Sequence, residues 1–303
     1  MARPASDCFA RVVSVAAVAA VVAIGAAVTA QQPPPLAGAG AVPPTAQNGR
    51  PPVAQATATP VLPEVAADVA QPRVDQNSML AHAQLLQKTR LGKIDVYFEG
   101  DSIVRRWGAT DYPLLLANWK ANFWGWNAAD FGWGGDRTQN ILWRLQQGEL
   151  DGINPKVIVL LAGTNNVGTA PPSDAKADEV ARGVKAIVDL CLEKAPAATL
   201  VLTAIFPRND NIALMSGIAR INESLSRLAD GRRVRFLNIN DRLADQTGRL
   251  FPEMFNPDRL HPTVKAYQIW ADALKPIFVE RLGPPAATDG APPPTGDPSA
   301  APR

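Results

Sequence analysis

The feature that most constrains this chain is an alternation between residues 79 and 281, where short β-branched runs take turns with longer segments of helical period. The runs are IDVYFE (94–99), AADFG (128–132), VIVLLA (157–162), TLVLTAI (199–205) and VRFLNI (234–239). The helical patterns fall near 79–91, 137–147, 174–194, 211–229 and 263–281. Such an order predicts an α/β fold, a parallel sheet with helices on both faces. Ligands in these sheets bind beyond the carboxyl ends of the strands. GDS (100–102) follows the first run, GWGGDRT (132–138) the second, GTNN (163–166) the third and FPRND (206–210) the fourth; NPDRLHP (256–262) comes after the last.

Outside this block the composition changes. Residues 1–30 carry Arg3 and Arg11, then an apolar run, then Val28-Thr29-Ala30, the order of an export signal cleaved before Gln31. The alternative is a retained anchor, but a run so rich in Ala and Gly makes a poor permanent span. A periplasmic or secreted protein is expected. Of the 28 prolines, 18 lie outside residues 76–283. Segments 31–75 and 284–303 are therefore expected to be extended, disordered linkers, because they cannot bury enough apolar surface to offset their ordering entropy. Residues 76–283 are left as a single domain. Cys8 would leave with the signal, and Cys191 falls in the apolar phase of a helix, as a buried small hydrophobe does. A net charge of +2 gives no reason to expect nucleic acid or electrostatic docking on a membrane.

A serine is a weak nucleophile at neutral pH and needs a base, itself oriented by a third group. There are two histidines. His82 lies among helix formers and is read as a helix-surface residue. His261 lies in a loop, three residues after Asp258, with Pro262 suited to the first turn of the following helix. Asp258 can reach the imidazole Nδ1 and fix the tautomer that presents Nε2 to Ser102, the plain alternative being a solvated Asp near a satisfied His. Donors for an oxyanion are the Ser102 N–H at a helix start, the Gly135 N–H before Asp136 as helix cap, and the Asn165 amide. Each has a plain structural alternative: Ser102 as a cap, Gly135 as a turn glycine, Asn165 as a loop-stabilising amide. Five such residues, each at a separate strand end or in the last loop, are harder to assign to caps. GWGGDR does not make a dinucleotide fingerprint, because Arg137 stands where the third glycine is required. Two histidines and one mature cysteine leave no His- or Cys-based zinc site. Six of the seven tryptophans fall between Trp107 and Trp143; packing is preferred over ligand stacking for them.

FEGDSI with Ser102, FGWGGDRTQNILWRLQQGEL with Gly135, LAGTNNVG with Asn165 and NPDRLHPT with Asp258 and His261 resemble the four sequence blocks of the SGNH hydrolases, also called GDSL esterases and lipases. Within that superfamily the resemblance is nearest to the catalytic α subunits of platelet-activating-factor acetylhydrolase and their bacterial relatives. It covers about residues 79–281 and departs from the name-giving motif by Ile103 in place of Leu. It implies a three-layer α/β/α fold with a five-stranded, flavodoxin-like parallel sheet and no cofactor. It also implies Ser102 as nucleophile, His261 as base, Asp258 as its orienter, and Ser102, Gly135 and Asn165 as the oxyanion hole.

The expected function is thus an exported, metal-independent carboxylic ester hydrolase, the guess of short acyl groups, above all acetyl, resting on the acetylhydrolase likeness. The substrate would be a small-molecule, carbohydrate or lipid ester. Its acid limb is expected near pH ~6.5, shifted upward by Asp258. Competing readings are a lysophospholipase or thioesterase with longer acyl chains, a metal-dependent phosphodiesterase using Asp101, Asp136 and Asp258, and a non-catalytic carbohydrate binder. Members of the acetylhydrolase branch can form dimers, but no homodimer interface is legible here.

Overall fold

A computed structural model describes residues 62–300. Five strands form one parallel sheet: β1 (Val96–Gly100), β2 (Ala128–Asp130), β3 (Val157–Leu161), β4 (Thr199–Thr203) and β5 (Val234–Leu237), in the order β2-β1-β3-β4-β5. The fold is the α/β, flavodoxin-like architecture expected. The order reverses between β1 and β3, the switch point where the loops diverge and a crevice opens.

Side chains of a strand alternate between faces, and here both faces are buried. Tyr97, Ile158, Leu160, Leu200 and Leu202 point into one core, and Val96, Phe98, Val157, Val159, Leu161 and Val201 into the other. The first core is closed by α1 (Gln76–Lys88), α4 (Thr138–Arg144), α6 (Asp174–Lys194) and α7 (Met215–Ser226), with the short α5 (Thr164–Val167) at the end of β3. The second is closed by α2 (Ser102–Gly108), α3 (Pro113–Phe123) and α8 (Val264–Leu282). Aromatic rings fill it: Trp107 stacks on Trp270 with centroids 5.0 Å apart, and Trp119 and Phe123 meet Phe98 edge-on or tilted. Trp107, Trp119, Trp126, Trp133 and Trp270 are buried, as the packing reading holds; Trp124 is exposed. Cys191 is also buried.

The folded body extends beyond 76–283 at both ends, which corrects the expected linker boundaries. Ala67 is fully buried; its N–H donates to Glu179 Oε1 at 2.9 Å and its carbonyl accepts from Thr138 Oγ1 at 2.7 Å. After Gly283, the Ala286 N–H donates to the Gly125 carbonyl, the Gly125 N–H to Asp289 and the Lys93 N–H to the Gly290 carbonyl. Composition misleads here for a physical reason. A Pro-rich segment cannot build its own core, but proline needs no N–H partner, so it can lie on a finished domain wherever turns leave backbone groups unpaired. The expected signal, most of the first linker and residues 301–303 lie outside the described residues. Among those described, no helix is long and apolar enough to cross a membrane.

Candidate active site

The chain leaves β1 through Gly100, Asp101 and Ser102 in a turn with no room for a larger first residue. A Cβ on Gly100 would lie 2.3 Å from the Leu161 carbonyl oxygen of the neighbouring strand. Asp101, not Ser102, caps α2: its Oδ1 accepts from the Ile103 N–H at 2.9 Å. The alternative of Ser102 as a cap therefore falls away. Ser102 is the first helical residue, with its hydroxyl available. Tyr267 fastens this turn to α8 by donating its hydroxyl to the Ile103 carbonyl at 2.6 Å.

His261 arrives from the far end of the chain, 159 positions away, and its Nε2 lies 2.9 Å from Ser102 Oγ. Nδ1 lies 2.7 Å from Asp258 Oδ2, while Asp258 Oδ1 accepts from the backbone N–H groups of Leu260 and His261, each at 3.0 Å. The Asp-x-x-His spacing is thus a tight turn in which one carboxylate holds both the backbone and the ring. Asn256 completes the loop, donating from Nδ2 to the carbonyls of His261 and Pro262. Pro262 sits one residue before the helix cap, Thr263, rather than in the first turn of α8.

The charge environment corrects one expectation. Burial pushes the His261 imidazolium pKa below its ordinary 6.5; the hydrogen bond to Asp258 pulls the other way, and the positive Arg106 and Arg208 add to the lowering. Burial acts to raise Asp258, but the two backbone N–H groups and the imidazole outweigh it and hold the carboxylate below 3.8. The ion pair expected to raise the base is therefore offset by desolvation and by two arginines.

Three donors face no protein acceptor among the described residues: the Ser102 N–H, the Gly135 N–H and the second hydrogen of the Asn165 amide. The first Asn165 hydrogen is given to the Asp136 carbonyl at 2.8 Å, which ties the end of β3 to the glycine loop. Gly135 has φ +80°, and a Cβ on Gly134 would stand 4.0 Å from that of Ser102, so this loop runs directly beside the serine. Asp136 does not cap α4. Its carboxylate turns inward to the buried Arg144, whose Nε donates at 2.7 Å, and the chain enters the helix through Arg137.

The carboxylates of a phosphodiesterase reading are committed elsewhere. Asp101 caps α2 and is raised to about 7 chiefly by burial, Asp136 binds Arg144, and Asp258 binds His261. His82 is not on the helix surface: it is buried, with Nδ1 2.6 Å from Glu149 Oε1 and its ring against Trp143. Sequence reasoning missed Arg73, Arg106 and Arg208 around the site. Only Arg208 carried a signal, lying in the segment after β4.

An α/β/α protein with a Ser–His–Asp chain at the switch point of a parallel sheet defines the class. The GDSL-like lipase/acylhydrolase family model matches residues 98–269. Platelet-activating factor acetylhydrolase IB subunit alpha1 from Bos taurus is 32% identical over 227 residues, covering 74% of this chain and 92% of the relative. The alpha2 subunit from Rattus norvegicus is 33% identical, covering 73% and 90%. A solved GDSL-like lipase from Bacteroides thetaiotaomicron superposes with a TM-score of 0.51 at 20% identity, over 67% of this chain and 96% of that one. The chain belongs to the GDSL-like lipase/acylhydrolase family, and is thereby a hydrolase of ester bonds.

Proposed function

We propose that the protein is a serine carboxylic ester hydrolase acting on short acyl, above all acetyl, esters through an acyl-enzyme. The observation that carries this reading is the continuous chain from Ser102 Oγ to His261 Nε2 and from Nδ1 to Asp258. With Nδ1–H donated to Asp258, the Nε2 lone pair faces the serine hydroxyl. Ser102 Oγ bonds to the ester carbonyl carbon as its proton passes to Nε2, and the carbonyl electron pair moves onto oxygen among the three free donors. Collapse returns that pair, breaks the bond to the alkoxy group and gives it the proton from Nε2. Water, deprotonated by the same nitrogen, then cleaves the acyl-serine. The acetyl preference is supported by relatives named as acetylhydrolases. Export is proposed on residues 1–30; an N-terminus at Met1 rather than Gln31 in mature protein would overturn it.

The test is hydrolysis of p-nitrophenyl acetate against longer acyl esters. We expect turnover that declines with acyl length, persists with a chelator and drops ~10⁵-fold or more in Ser102→Ala. Turnover rising with acyl length would give the longer-chain reading. Equal turnover in the variant would remove Ser102 as nucleophile, and loss with the chelator would show that the hydrolysis needs a metal ion.

A further inference from the structure

Arg73 lies in the segment 62–75 that packs ahead of α1, and its guanidinium reaches the glycine loop beside Ser102. Nη1 donates to the Gly134 carbonyl at 2.6 Å and lies 3.5 Å from Asp136 Oδ1. Nε donates at 2.9 Å to Asp75 Oδ2, and Asp75 Oδ1 caps α1 by accepting from the Ser78 N–H. The guanidinium is thus aimed by two carboxylates while its free edge grips one backbone oxygen. It also fills the space beside Gly135, where a Cβ would stand 3.0 Å from Nη1.

The Gly134 carbonyl and the Gly135 N–H belong to one planar, trans peptide unit, so they point in opposite directions. Two adjacent glycines impose little barrier to rotation of the peptide between them. If it turned over, the carbonyl would replace the N–H and present an acceptor where an oxyanion needs a donor. The geometry points to Arg73 as a positioning residue that holds the Gly134–Gly135 peptide with its N–H directed away from the guanidinium and free for the oxyanion. A charged donor on the carbonyl also polarises the peptide and strengthens that N–H. This inference rests on the ester-hydrolase reading for its consequence in turnover, but the peptide orientation itself does not.

The experiment compares full-length protein with Arg73→Met, which keeps bulk and removes the donors, and Arg73→Lys, which returns one. It reads kcat and KM on p-nitrophenyl acetate, thermal unfolding, and the three-bond HN–Hα couplings of Gly135, which report its φ and so the orientation of the peptide before it. For Arg73→Met we expect kcat to fall roughly tenfold to a hundredfold, KM to stay within about twofold, the unfolding temperature to hold, and the Gly135 couplings to move away from the wild-type values as the peptide samples both orientations. Arg73→Lys should recover part of kcat. Unchanged kcat with unchanged Gly135 couplings would overturn the inference. So would a kcat loss that tracks a fall in unfolding temperature with no recovery in the lysine variant, since that pattern marks a merely structural side chain. If the wild type itself does not turn over, the ester-hydrolase reading fails, and the Gly135 couplings still decide whether Arg73 holds the peptide.

Discussion

His261 works, in the proposed reaction, only as neutral imidazole, so its surroundings set the acid limit of activity. Burial and the positive Arg106 and Arg208 hold its pKa below 6.5 against the pull of Asp258. A lowered base pKa keeps the neutral form present at lower pH, so the acid limb of kcat/KM should have its midpoint below 6.5. Arg106 is the side chain to change, since its Nη1 lies 3.8 Å from Asp258 Oδ2 and its guanidinium rests over Tyr112. Arg106→Met removes a positive charge, stabilises the imidazolium and should move the limb to higher pH. A wild-type midpoint at or above 6.5, or a limb that does not move in the variant, would contradict this account of the base.

At the scale of elements, the two sides of the site loop are joined under the sheet by Arg144 of α4. Its guanidinium donates to Glu99 of β1 at 2.8 Å, to Asp136 of the glycine loop at 2.7 Å and to Glu149; Glu149 in turn meets His82 of α1. All these groups are buried. Burial raises Glu99 to about 8 and Asp136 to about 6 even with the arginine present. Arg144→Met would leave three carboxylates in the core without their common partner, and we expect a loss of about 3–5 kcal/mol in denaturant unfolding at neutral pH. A loss below ~1 kcal/mol would show that the carboxyls are accommodated as neutral acids without it. Little of this was legible in the sequence. His82, read as a helix-surface residue, is paired 67 positions away. The helices α2 and α3 were not drawn from periodicity either; α3 is apolar on nearly every face, including the exposed Leu114, so no stripe marks its buried side.

Across the described residues, a sheet domain is bound at both ends by segments whose composition resembles linker. The tail after Gly283 crosses turns at residues 93, 110–111 and 125–127, where Thr110 N–H donates to the Thr295 carbonyl, Asp297 N–H to Asp111 and Gly290 N–H to Asn127. These bonds, with the contacts around them, tie the ordered tail to the domain. Deleting residues 284–303 should therefore lower the unfolding temperature by roughly 2–8 °C while leaving kcat on p-nitrophenyl acetate near wild type, because none of these bonds reaches Ser102 or His261. An unfolding temperature unchanged by the deletion would mean that the docked tail adds nothing to stability.

What the sequence alone determined was the alternation of strand and helix, and with it the parallel sheet and the places after each strand where Ser102, Gly135, Asn165, Asp258 and His261 would stand. Those follow from local chemistry: side-chain period, turn residues and the short reach of Asp258 to His261. Only the tertiary structure decided that Asp101 caps α2, that Asp136 turns inward, that the His261 pKa falls rather than rises, and that Arg73 reaches the Gly134 carbonyl. Each of these depends on burial or on charges brought close by the fold, and desolvation has no local signature in a chain.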